Sequence, residues 1–455
     1  MKEKKKMGLL SCILMGIGAI IGVGIFGSLP TAVGLAGKGI VLWVMVGACV
    51  VVLFKSFPIL ATSAALPASG ANYLHCTKLV NPWIGYMQFV NGLFNVLTIV
   101  LLAVVFTPYF TTLFPMVNGL ACKIGFILVM GTLGLFGVRT NSAVQNIMVI
   151  LLLTALGLYI FMGLPAIDSA NLTFGEILSP SMTLSGFVAA IAVMQSATYG
   201  AHNMVNFADD IENPGRNLPL AIILSPVLVS VIYILMAAVT VGVVPDIADM
   251  TLADIASQYM PGALVTAFVV VGPIFGILTS TIPVMMAMTN ILAMCAKDRI
   301  LPASFAKKNK YGVYYVSHLF YCIIALIIVM CGISIGAAFT AFSFFSLACG
   351  IVLFIPPLVM HKKYPKCAAH ASFKMSPFLM WVVSIIGIII SLYLCYESAR
   401  EMGAIMWGIF AAIVVLSYTY FLFRIKYLKD KENYDILTEM AKPLPAWEDR
   451  EKSYQ

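Results

Sequence analysis

The segment Gly16-Ile17-Gly18-Ala19-Ile20-Ile21-Gly22-Val23-Gly24-Ile25-Phe26-Gly27 places five glycines in twelve positions of an otherwise apolar run. A spacing of four, as between Gly18 and Gly22, suits helices that approach closely in a membrane. The Gly22-Val23-Gly24 triplet does something different, because glycine on both sides of one residue weakens the helix itself. A second weak point stands at Tyr199-Gly200-Ala201, with His202 and Asn203 following while the chain is still in an apolar stretch. Unwound backbone in a bilayer survives only where it is buried in protein or lines a watery cavity. Two interrupted helices in corresponding places of two halves point to a carrier's binding site.

Outward from these breaks, composition makes lipid the solvent. Of the 455 residues, 61% are hydrophobic and 10% charged, against about 25% charged in soluble domains. Apolar runs bounded by proline, glycine and charge give twelve candidate helices. They lie near 9–35, 39–66, 83–114, 121–138, 144–164, 183–209, 219–244, 262–296, 316–335, 337–360, 376–396 and 403–423; those that exceed the ~20 residues that span a bilayer imply tilt, a break or an overhang outside the lipid. This excludes a cytosolic enzyme, a secreted disulfide scaffold and a disordered chain. The ten cysteines include no Cys-x-x-Cys pair and read as small core hydrophobes. No His-Glu-x-x-His, no Gly-x-Ser-x-Gly and no mid-depth aspartate pair occurs, so no enzymatic activity is expected.

The net charge of +8 says less than its placement. With the amino terminus inside, 23 of the 27 Lys and Arg residues fall on the inner face, Lys38, Lys123 and Arg400 fall outside, and Lys55 lies within helix 2. The positive-inside rule then expects both termini in the cytoplasm of a multi-pass protein of the cell membrane. The basic residues flank helix ends, so the lipid bilayer is the expected partner and nucleic acid is not. Helix 1 is expected to stay in place rather than be cleaved as a signal peptide.

A half-helix beginning near Val23 offers free N–H groups and the positive end of its dipole, which suits a carboxylate. Half-helices ending before each break offer free carbonyls, which suit an ammonium or a metal cation. One site with both features fits an amino acid zwitterion without any charged side chain.

Four segments, in order, resemble the amino acid–polyamine–organocation (APC) superfamily. Gly18-Ala19-Ile20-Ile21-Gly22-Val23-Gly24-Ile25-Phe26-Gly27 resembles its first-helix signature, and Gly137-Val138-Arg139-Thr140-Asn141-Ser142-Ala143-Val144-Gln145 its link between helices 4 and 5. Asp209-Asp210-Ile211-Glu212-Asn213-Pro214-Gly215-Arg216-Asn217-Leu218-Pro219 resembles its loop after helix 6, and Ala293-Met294-Cys295-Ala296-Lys297-Asp298-Arg299-Ile300-Leu301-Pro302 its end of helix 8. The resemblance implies an all-α membrane protein of the LeuT-type fold with twelve transmembrane helices. Helices 1–5 (9–164) and 6–10 (183–360) would form a 5+5 inverted repeat, with helices 11–12 (376–423) appended. A cytoplasmic segment, 1–8, and a cytoplasmic tail, 424–455, would flank them. It also implies a secondary active transporter of amino acids working by alternating access. The N–H groups of Val23, Gly24 and Ile25 would meet the substrate carboxylate, and the carbonyls of Ile20, Ser196, Ala197 and Tyr199 its ammonium, with Gly22 and Gly200 at the breaks. Val23 stands where the family usually has a smaller residue.

Helix 5 has no lysine between Val144 and Leu164, although many sodium-independent relatives carry one there. By resemblance to sodium-coupled members, the hydroxyls of Thr279 and Ser280 could join carbonyls of Gly18, Ile21 and Gly276 as a hard-cation cage; helix hydroxyls also bond back one turn. Lys55 lies about 11 residues, or ~16 Å, from the inner end of helix 2; it either snorkels or changes its proton with the cycle. Histidine is the side chain that ordinarily titrates near neutral pH, and His202 borders the second break, which makes it a candidate proton switch. The coupling ion, sodium or proton, is the one cofactor-like partner expected.

Gln88, Asn91, Asn95 and Thr98 share one face of helix 3, so the stripe turns inward and makes Asn95 and Thr98 candidates for the pocket lining. No Asp or Glu lies in the predicted midplane, which favours neutral amino acids. A polyamine or cationic amino acid antiporter, and a sensor that binds without transporting, are the alternatives. Heteromeric relatives use a cysteine soon after helix 3; Cys122 sits beside helix 4 instead, so no heavy-chain partner is expected.

Overall fold

A run of about twenty apolar residues can satisfy its backbone hydrogen bonds in lipid only as a helix, and the chain follows that rule. The computed structural model describes residues 6–37, 41–172, 184–244, 247, 250–332, 335–400 and 402–454; of these, the side chains at 23, 31, 138–144, 184–185, 207, 335–340, 343 and 405 are outside the description. Among the described residues nine helices are long and apolar enough to cross a membrane, and Gly119–Gly134 and Tyr315–Met330 are shorter apolar helices. The β pairing among them is limited to single bridges, Met7 with Ile211 and Lys308 with Tyr314. Large apolar side chains such as Phe161, Phe378 and Leu416 stand exposed on these helices. Water would penalise that surface, whereas acyl chains accept it.

Helix 1 is two helices, Leu9–Ile20 and Val23–Ala36, with Ile21 and Gly22 outside helical geometry between them. Helix 6 runs over Leu184–Thr198, leaves helical geometry at Tyr199 and Gly200, and resumes as a 3₁₀ helix over Ala201–Asp210. Both breaks stand where glycine weakened the sequence pattern, but the 3₁₀ form does not follow from that pattern. Its cause is lateral bonding. The Asn206 carbonyl accepts from Gly70 N at 2.8 Å and Asn290 Nδ2 at 3.0 Å, and its Oδ1 accepts from Asn72 N at 3.2 Å. Asp209 N donates sideways as well, to Ser69 Oγ at 3.2 Å. Asn206 is fully buried and ties the second half of helix 6 to the 2–3 linker and to helix 8.

The two breaks are built against each other. A Cβ at Gly24 would lie 2.6 Å from Ala197 Cβ and 2.7 Å from its carbonyl oxygen, and one at Gly200 would overlap the Ala19 carbonyl. Helix 2, Val41–Ala65, and helix 7, Pro214–Val243, pack on this broken pair, while helices 3, 4, 8 and 9 pack on one another. Helix 3 pivots at Asn95, between Pro82–Phe94 and Val96–Leu113. Helix 8 contains a π turn, Val270–Ile274, ahead of Phe275–Lys297. Pro273 sits in that turn and lacks a donor, so the widened turn absorbs it.

The chain end departs from expectation. The last long helix, Ala404–Glu432, continues past 423, because its Lys and Glu residues end the apolar run without ending helix propensity. The tail then forms two short helices, Ile436–Ala441 and Pro445–Ser453. Ile436, Met440 and Trp447 are buried. The Trp447 ring lies 5.5 Å from that of His75 and 6.1 Å from that of Tyr364. Glu451 accepts from the backbone N–H groups of Lys366 and Cys367, at 2.9 and 2.7 Å. On the same face of the molecule Lys78 pairs with Asp298 at 3.1 Å, and Tyr73 donates to Asp298 at 2.7 Å. This pair links the 2–3 linker to the end of helix 8.

Candidate functional site

Between the two breaks lies a cavity of about 120 Å³, room for several water molecules. Helix 1 contributes Ile20, Gly22 and Gly24 to its wall, and helix 6 contributes Ser196, Ala197, Tyr199 and Gly200. Val23 is the first residue of the second half-helix, so its backbone holds the start position that the sequence reading gave it; its side chain lies outside the described residues. Ile25 is fully buried and does not belong to the wall. The first four N–H groups of a helix have no acceptor within it, and the last carbonyls of its predecessor have no donor. The breaks therefore present both kinds of group at one place.

The polar stripe of helix 3 divides. Asn91, Asn95 and Thr98 line the cavity, whereas Gln88 is fully buried away from it and donates to the Cys349 carbonyl at 2.8 Å. Gln88 therefore fastens helix 3 to helix 10. Asn95 donates back to Asn91 O at 2.8 Å, and the buried hydroxyl of Thr98 has no partner among the described residues.

Lys55 does not snorkel. It is 7% exposed, and its Nζ donates to Gln195 Oε1 at 3.0 Å and lies 4.3 Å from the centre of the Tyr199 ring. His202 stacks on the same tyrosine, with ring centres 3.7 Å apart and planes 16° from parallel, and its buried Nδ1 has no partner among the described residues. Both Lys55 and His202 lie on the cavity wall. Gln195 was missed in the sequence reading, although it lies in the last turn of helix 6 before the break at Tyr199. Asn203 also reaches the cavity.

The five oxygen donors assigned by resemblance converge. Ser280 Oγ lies 2.8 Å from Gly18 O, 3.0 Å from Ile21 O and 2.9 Å from Gly276 O, and Thr279 Oγ1 lies 2.9 Å from Gly276 O. A hydroxyl carries one proton, so Ser280 can satisfy one of its three carbonyl neighbours at a time. Thr279 donates the cluster's second hydroxyl proton to Gly276 O, so the Gly18 and Ile21 carbonyls share the single proton of Ser280. Gly22 has no room for a Cβ because Ser280 Oγ occupies that space. Thus the same residue that collects the carbonyls also fixes the helix 1 break. Buried Gln145, on helix 5, donates to Thr279 O at 3.2 Å beside this cluster.

The many apolar helices among the described residues, two of them interrupted around a polar cavity, together with the family match, place the chain in the class of multi-pass membrane permeases rather than enzymes. The chain is a member of the amino acid permease family, whose profile matches residues 7–426. It is similar to the branched-chain amino acid permease of Bacillus subtilis (strain 168), at 26% identity over 350 residues, 70% of this chain and 73% of that protein. It is similar to the methylthioribose transporter of the same organism, at 24% identity over 445 residues, 91% of this chain and 92% of that protein. Large neutral amino acids transporter small subunit 2 of Homo sapiens shares 29% identity over 251 residues, 51% of this chain and 46% of that protein.

Proposed function

We propose that the chain is a secondary active transporter that moves amino acids across the plasma membrane by alternating access. The observation that carries this is the contact of the two helix breaks around one cavity, with Gly24 against Ala197 and Gly200 against Ala19. In this reading the N–H groups at Val23 and Gly24 hold the substrate carboxylate, and the carbonyls of Ile20, Ser196, Ala197 and Tyr199 hold its ammonium. The packing of helices 2 and 7 on the broken pair 1 and 6, and of helices 3, 4, 8 and 9 on one another, with helix 8 also meeting helices 1 and 6, supports a twelve-helix LeuT-type arrangement of 5+5 inverted repeats. Both termini then face the cytoplasm, where the Asn206 ties and the Lys78–Asp298 pair close the inner side.

Among the described residues the cavity wall includes Lys55 and no carboxylate. This disfavours polyamines and cationic amino acids as cargo and keeps substrates whose side chains carry no positive charge. Counterflow in proteoliposomes tests the carrier reading. Vesicles loaded with a mixture of unlabelled amino acids are expected to accumulate a labelled one transiently. Saturable binding without counterflow would instead make the chain a sensor.

The surplus of lone pairs around Ser280 supports sodium as coupling ion, since hard cations take six or so oxygen ligands. Uptake is expected to fall at least tenfold when choline replaces sodium, and Ser280→Ala is expected to abolish that difference. Equal uptake in the two salts removes sodium from the cycle. Protons are the second reading, with His202, whose Nδ1 has no partner among the described residues, as the group that would carry one. Lys55, the other coupling candidate, has surroundings that suit a different task.

A further inference from the structure

We infer that Lys55 is the receptor for an anionic side chain, which makes the preferred cargo a dicarboxylic amino acid. This rests on the reading of the cavity as the carrier's substrate site and narrows its substrate class. The physical argument is one of charge balance. The breaks in helices 1 and 6 present partial positive charge from N–H groups and partial negative charge from carbonyls, and these match the two ends of a zwitterion. With a neutral amino acid bound, a protonated Lys55 would be left uncompensated once the cavity closed. An uncompensated buried ion is among the costliest arrangements in a protein. A substrate with one additional carboxylate removes that cost.

The local chemistry fits such a guest. Among the described residues, the neighbours of the Lys55 amine are the neutral Gln195 Oε1 at 3.0 Å and the face of Tyr199 at 4.3 Å. An ammonium has three donors, so the amide oxygen leaves donor capacity for the cavity that Lys55 lines. Gln195 turns its oxygen to the lysine, because the lysine can only donate. Its amide nitrogen is thereby a donor available to a second oxygen. Asn91 and Asn203 add neutral amides to the same wall. The Tyr199 ring lies beside the amine and His202 stacks on that ring, and among the described residues the cavity wall holds no carboxylate to take the place left for the guest.

The test uses the full-length protein purified in detergent, with equilibrium binding of L-aspartate, L-glutamate, L-asparagine, L-glutamine and L-leucine. One of the two acids is expected to bind at least tenfold more tightly than its own amide, since a charge-assisted hydrogen bond is worth about that much or more. Lys55→Met is expected to erase or invert that ratio, and Lys55→Arg to keep it. An amide or leucine binding as tightly as the acids in the wild-type protein overturns the inference, as does a Lys55→Met protein that retains the preference. The wild-type ratio decides the matter alone if Lys55→Met does not fold. Acids failing while neutral amino acids bind defeats this inference and leaves the carrier reading standing. The absence of binding and counterflow for all five probes and for the remaining amino acids defeats both.

Discussion

Gly200→Ala is expected to abolish transport, with uptake at least ~100-fold below wild type, because a misplacement of about 1 Å near a reacting or binding centre costs that much. The added methyl would overlap the Ala19 carbonyl oxygen and crowd the Ala19 carbonyl carbon and Ile20 nitrogen. These are backbone atoms, so no side-chain rotation makes room. The half-helices must separate, and with them the carbonyls assigned to the substrate ammonium. Gly24→Ala acts on the same joint from the other side, since its methyl would meet Ala197 at 2.6–2.8 Å. Gly157→Ala is the matched control. It lies within the helix Val138–Gly163 with open space around it, so the change is expected to leave transport intact and to raise stability by up to about 1 kcal/mol. Wild-type uptake by Gly200→Ala would remove the joint from the mechanism.

The second large effect concerns the tail. Trp447 is 1% exposed and sits between His75 and Tyr364. Burial of a large aromatic at this level makes its removal to alanine cost about 3–5 kcal/mol, more than two short helices can otherwise supply. Trp447→Ala is therefore expected to release the tail, and trypsin to cut after Arg450 and Lys452 under conditions that leave the wild type whole. Equal protection in both proteins would show that Glu451 and the buried Ile436 and Met440 hold the tail without the indole. Burial pushes His75 down to about 4, so at neutral pH its ring is uncharged and its Nε2 donates to the Leu66 carbonyl at 2.8 Å. The indole thus packs on a neutral ring that belongs to the 2–3 linker.

The helical breaks were legible in the sequence because glycine changes backbone preference locally, and local preference survives into the fold. Ile21–Gly22 and Tyr199–Gly200 fall within a residue or two of the glycine signals. The convergence on Ser280 was legible only through family resemblance, since carbonyls of Gly18 and Gly276 leave no trace in side-chain spacing. Gln88 illustrates the limit of periodicity. It shares a face with Asn91 and Asn95, yet its amide goes to Cys349, because facing inward does not say which neighbour is met. The Asn206 ties and the Lys78–Asp298 pair join residues separated by more than eighty positions, and one sequence gives no sign of such partners. The reading of 424–455 as a cytoplasmic tail gave no sign of its two helices, because the buried residues of that segment are few and widely spaced.

The hub at Ser280 also sets a symmetry in how guests must influence one another. Its hydroxyl reaches carbonyls on the first half of helix 1 and at the kink itself, Gly18 and Ile21, while the other half of that kink borders the cavity. Any ion that settles among those oxygens and tightens the cavity's hold on an amino acid must itself be held more tightly, by the same factor, when the amino acid is present. Titrating each guest in the presence of the other would therefore return one number twice.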